Sequence, residues 1–171
     1  MKKAIFITGF NNWGKSTIIT SLFDDRSRFY YGWTYPINNA NFQDKFTVES
    51  HSNDDWWGQG WIDRLQERIK NSPDNGQNIF TALCPTMHVN NNFVDLLNKS
   101  LFSEYQLYIF LIEYKFEHHA KLLINNIINA GQGIPQASFI VINADRDLQI
   151  EAERLEAKLR QIRQELNKIF I

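Results

Sequence analysis

Residues 2–23 read KKAIFITGFNNWGKSTIITSLF, and the fold turns on how this stretch divides. The run 3–8 is short and apolar and stops at a glycine, the pattern of a strand buried within a sheet. From Lys15 to Phe23, Ile18, Ile19, Leu22 and Phe23 recur at helical spacing, so a first helix follows. Between them lie Gly9, Phe10, Asn11, Asn12, Trp13, Gly14, Lys15 and Ser16, which fit G-x-x-x-x-G-K-[ST]. The glycines permit backbone angles that side chains block, so successive N–H groups turn inward as an anion nest. The helix that follows aims its unpaired N–H groups and partial positive charge at the same point. Lys15 can reach β- and γ-phosphates, the Ser16 hydroxyl can hold Mg²⁺, and Thr17 falls nearest the α-phosphate. Trp13 is expected to lend its backbone N–H to the nest. Its indole is then left to wall the phosphates or to bury against its own sheet.

The bulk numbers limit what surrounds this loop. A chain of 171 residues with 43% hydrophobic content supports one sizeable core and a single domain spanning 1–171. Eighteen basic against 19 acidic residues leave a net charge of −1, which gives no electrostatic argument for a nucleic-acid partner. Cys84 is the one cysteine, so no intramolecular disulfide is possible and a reducing compartment, the cytoplasm, is expected. The opening MKKAIFITGF is too short an apolar run for a signal sequence, and no run approaches the roughly 18 apolar residues of a membrane span.

Further along, 44–50 reads as a strand and 53–71 as a helix that opens with capping residues. PDNGQ (73–77) reads as a turn, and 78–85 as a third strand ended by proline. A short helix lies in 90–102, a fourth strand in 105–114 and a helix in 115–131 closed by Gly131. A fifth strand spans 137–143 and a last helix runs from about 147 to 169. In that helix Ala152, Leu155, Leu159, Ile162, Leu166 and Ile169 form a stripe that should pack on the sheet. Strands alternating with helices predict an α/β three-layer sandwich, a parallel five-stranded sheet covered on both faces.

The loop and its setting resemble the Walker A motif of the P-loop NTPase superfamily. That resemblance implies ATP or GTP binding with magnesium, and cleavage or transfer of the γ-phosphoryl group. The form GFNNWGKST resembles the loop of translational-type GTPases. Asp55-Trp56-Trp57-Gly58 offers a D-x-x-G, and Asn143 stands where N-K-x-D would begin. Ala144 and Arg146 depart from that pattern. The layout is closer to that of small nucleotide and metabolite kinases, with ATP as the nucleotide. By that resemblance Asp54 or Asp55 would orient an acceptor hydroxyl or a water, and Asn143 to Arg146 would lie beside the base. No carboxylate follows the third strand, which ends LCPT (83–86), so Glu113 is the substitute candidate. Kinase lids carry arginines, whereas 113–137 has none; Arg26, Arg28, Arg64 or a partner would have to supply one. A nucleotide-dependent interaction module with little turnover, and a degenerate GTPase, are the alternatives.

Other features are weighed on their residues. Asp54 and Asp55 also suit helix N-caps. His51 with Asp54 is a weak metal pair, His118 and His119 fall in an early helical turn with one packed, and Cys84 reads as a small core residue. Ten of the 24 aromatics lie between 29 and 61, either packing on the sheet edge or forming a surface for a small acceptor or a protein partner.

Overall fold

The computed structural model describes residues 1–73 and 78–171; the expected turn at 73–77 lies, Pro73 apart, outside the described residues. In chain order the elements are β1 (Lys2–Thr8), α1 (Lys15–Leu22), β2 (Tyr35–Pro36), β3 (Lys45–Glu49), α2 (Gln59–Lys70) and β4 (Asn78–Leu83). They continue with α3 (Phe93–Leu97), β5 (Tyr105–Ile112), α4 (Ile124–Ala130), β6 (Ala137–Ile142) and α5 (Glu151–Phe170). Short 3₁₀ turns at Ser100–Phe102 and Gly131–Gly133 complete the set.

Among the described residues the sheet has six strands, in the order β2-β3-β4-β1-β5-β6, not five. Five are parallel, and β1 sits centrally with Ile5 opposite Phe80 of β4 and Tyr108 of β5. The added strand is a two-residue antiparallel edge, Tyr35 against Phe46 and Pro36 against Lys45. Too short to show periodicity, it is held by the Tyr35 ring packing edge-on to Phe29 at 5.2 Å. Proline is tolerated there because an edge strand needs no donor on its outer side.

Alternation along β1 distributes the helices. Phe6 meets Trp61 of α2 and Phe102, and the Trp61 indole donates to the Thr81 hydroxyl, so α2 covers that face. On the other face Phe23, just after α1, packs on Phe46 and Phe80, and Phe170 of α5 also meets Phe46. Truncating Phe23, which touches three rings and is 1% exposed, would cost about 3–5 kcal/mol. The α5 stripe buries Leu159, Ile162 and Leu166 as expected, while Ala152 is exposed and Arg154 and Lys158 are buried instead.

Two helix expectations are corrected. α2 begins at Gln59 with Gly58 as N-cap, so Asp54 and Asp55 cap no helix. Residues 114–121 form a hairpin, not the start of a helix: Tyr114 bridges Lys121, and the N–H of Lys115 donates to the carbonyl of Ala120. His118 has φ +64, outside helical space. Only Ile124–Ala130 is helical there.

Candidate functional site

The glycine loop, residues 9–16, joins the carboxyl end of β1 to α1 and is bordered by β4 and β5. Its two glycines are required for different reasons. Gly14 has φ +87, where a side chain would be strained. Gly9 is needed for room, because a Cβ there would lie 2.7–2.8 Å from the Trp13 side chain. Asn12 also takes a left-handed conformation, φ +59, which asparagine tolerates better than most residues.

Trp13 is buried, not a gate. Its indole N–H donates to the Ile112 carbonyl at the end of β5 at 2.8 Å, and its ring meets Phe10 edge-on. Its backbone N–H donates to the Phe10 carbonyl at 3.2 Å and so is engaged within the loop. The N–H groups of Gly14, Lys15, Ser16 and Thr17 open α1, where no earlier carbonyl is in register to accept them and no side chain caps the turn. Lys15 folds back over the loop, its ammonium donating to the Phe10 carbonyl at 2.7 Å. Burial lowers its pKa from the ordinary lysine value, opposed by Cys84 and by the Asp55 and Asp54 charges.

These groups front a cleft of about 370 Å³. Residues 11–17 form one wall, Ser50, Ser52 and Asp55 another, and Phe116 and Glu117 of the hairpin the third. Asp55 Oδ2 accepts from the Ser52 N–H at 2.7 Å, which fixes its carboxylate at the cleft edge. Asp54 is exposed and outside the lining, yet close enough to bear on Lys15 electrostatically. The Gly58 N–H donates to the Asn53 carbonyl, so the D-x-x-G glycine does not present it to the cleft.

The predicted base loop is placed apart. Asn143 lines a separate cleft with Glu113 and Lys121, which pair at 3.1 Å, and Arg146 is exposed. The N–H groups of Asn143 and Ala144 donate to Gln161 of α5. None of the three arginines expected to replace a lid lines the glycine-loop cleft. Arg64 reaches Glu49 at 3.2 Å and lies over the Trp56 ring, and Arg26 lies over Tyr35. Arg28 borders a surface recess with Asp24 and Asp25. His51 bonds Glu49 at 2.9 Å rather than pairing with Asp54, and among the described residues no group of three or more His, Cys, Asp or Glu could hold a metal. Cys84 is buried, and burial together with the Asp54 charge pushes its thiol up to about 11, outweighing the Lys15 charge. It is a neutral packing residue.

Four features escape the sequence pattern. Asn53 is fully buried and brackets the end of β4, accepting from the Cys84 N–H at 2.7 Å and donating to its carbonyl at 3.1 Å. Glu49, at the end of β3, is fully buried between Arg68 at 2.7 Å and Arg64; the four-residue spacing of those arginines on α2 is the signal that points to it. Phe116 covers Gly14, where a Cβ would lie 3.5 Å from its ring. Arg154 of α5 donates to the carbonyls of Lys115 and Phe116 and to Asp145, which pins the hairpin over the loop. Asp145 also pairs with the buried Lys158 at 3.1 Å; burial lowers the Lys158 pKa, against the pull of Asp145.

Of the ten aromatics in 29–61, Phe29, Tyr35, Phe42, Phe46 and Trp61 pack inward, and Tyr30, Tyr31, Trp33, Trp56 and Trp57 are exposed. No described helix is long and apolar enough to cross a membrane. Compared with protein families, curated proteins and solved structures, the chain matches none.

Proposed function

We propose that the protein is a P-loop enzyme that binds ATP with magnesium and moves the γ-phosphoryl group to a small acceptor or to water. The observation that carries this reading is the buried Lys15, its ammonium set beside the uncapped first turn of α1 and facing a 370 Å³ cleft. An anion entering there meets aligned N–H donors and a cation whose desolvation it relieves. Lys15 then exchanges the Phe10 carbonyl for phosphate oxygens and stabilises charge on the transferring group. Asp55, held at the opposite wall, orients the attacking hydroxyl or water.

The residues present fit a magnesium ion. Ser16 and Asp55 supply hard oxygen donors to the same cleft, and magnesium takes most of its ligands from water and phosphate. When bound, the ion neutralises phosphate charge.

The five exposed tyrosines and tryptophans favour a second reading, a nucleotide-dependent interaction module with little turnover. Phosphate release with ATP and GTP, followed by an acceptor screen, separates the two. A thermal-shift panel with ADP, ATP, GDP and GTP identifies the nucleotide. In calorimetry Lys15→Ala should weaken ATP binding by a factor of about 10–150, the worth of a charged hydrogen bond. Unchanged affinity refutes the reading.

A further inference from the structure

A further, drier pocket of about 200 Å³ borders the glycine loop at Phe10. Phe10, Pro85, Met87, Leu123, Ile127 and Ala130 line it, and Asn126 is the polar side chain among the lining residues. Among the described residues no charged side chain lines it, so an ionised ligand would lose its hydration without gaining a partner. The walls begin at the phosphate machinery. The Phe10 carbonyl holds the Lys15 ammonium at 2.7 Å, and Phe10 is also one of the residues that line the pocket. Pro85 follows Cys84, which lies within electrostatic range of Lys15, Asp54 and Asp55. A molecule seated there therefore packs against Phe10, the residue whose carbonyl holds the Lys15 ammonium.

Size and chemistry narrow the occupant. Apolar cavities of about 150 Å³ take up benzene, so this one holds a single ring with a short chain. We propose that the pocket seats the body of the phosphoryl acceptor, a small uncharged alcohol carrying one aromatic ring or a branched chain of that size. This rests on the ATP-binding reading above. In the reaction the hydroxyl oxygen bonds to the γ-phosphorus as the bridging bond to the β-phosphate breaks. The hydroxyl proton passes to water in the cleft, and the products are a phosphate monoester and ADP.

The chain contains two methionines, Met1 and Met87, so methyl-¹³C-methionine labelling reports on the pocket with one internal control. Unmodified protein is titrated with 3-phenylpropan-1-ol and, separately, with the charged 3-phenylpropanoate. The alcohol should shift the Met87 methyl signal saturably and leave Met1 still; the carboxylate should bind at least tenfold more weakly. With MgATP, the alcohol should raise ADP formation at least tenfold and yield its phosphate ester. Absence of a saturable Met87 shift, or equal binding of the carboxylate, overturns the pocket assignment while ATP still raises the melting temperature. A Met87 shift without ester formation overturns the acceptor role. Failure of ATP to alter the melting temperature refutes the underlying nucleotide reading, and the Met87 titration does not depend on it.

Discussion

Replacing Trp13 by phenylalanine keeps a ring beneath the glycine loop and removes a single donor. The indole N–H now bonds the Ile112 carbonyl at 2.8 Å, at a residue with no exposed surface. Leaving a buried acceptor short of its partner costs about 1–3 kcal/mol. The smaller ring also leaves a void under Gly9 worth about another 1 kcal/mol. The total, roughly 2–4 kcal/mol, corresponds to a fall in melting temperature of about 5–15 °C for a domain this size. Urea denaturation followed by circular dichroism measures it directly, with an unchanged slope showing that the shift in midpoint is a change in stability. Because Phe10 leans edge-on against Trp13 at 5.9 Å, ATP affinity should fall with stability. Trp33→Phe, at a side chain 64% exposed, supplies the control and should change stability by less than about 0.5 kcal/mol. A loss below that same margin for Trp13→Phe would refute the claim that the indole props the loop.

Further outcomes follow from three carboxylates. Glu49→Gln should cost about 3–5 kcal/mol in chemical denaturation, because the buried Arg68 loses its counter-charge. Burial alone would raise the Glu49 pKa, but the Arg68 charge and hydrogen bond, with bonds from His51, hold it below the ordinary carboxylate value. The stabilisation is thus complete above the unfolded value and lost as pH falls through the folded one, and Glu49→Gln should flatten that acid limb. Asp55→Asn should keep the bond to Ser52 and change stability by less than about 1 kcal/mol, yet slow phosphoryl transfer by about 10²–10⁴-fold in steady-state assays. Asp54→Asn should slow it far less; the reverse order would move the role to Asp54.

What the sequence disclosed, and what it hid, follows the range of the interactions. The glycine loop, the five parallel strands and most helices rest on neighbours within a few positions, so spacing alone reveals them. The hairpin at 114–121 does not. Its backbone carbonyls are taken by Arg154, 38 and 39 positions away, and a charged stretch before Ile124 looks like the polar face of a longer helix. The stripe on α5 drew the eye to its leucines, while the buried Arg154 and Lys158, four apart, pair with Asp145. Glu49 reads as the polar end of a strand until α2 brings two arginines over it. Trp13 shows the same limit at shorter reach: the pattern fixes where its backbone runs, and only β5 decides where its indole goes.

The grip of Arg154 on the hairpin also carries a consequence for the order of synthesis. The loop at 9–16 is translated well before the guanidinium that fixes Lys115 and Phe116 over it, which comes from the first turn of α5. At about 5–20 residues per second the interval between residue 16 and residue 154 is on the order of ten seconds. Through that interval the nascent chain carries the loop without its fixed cover, and the site takes its final shape only once α5 has formed.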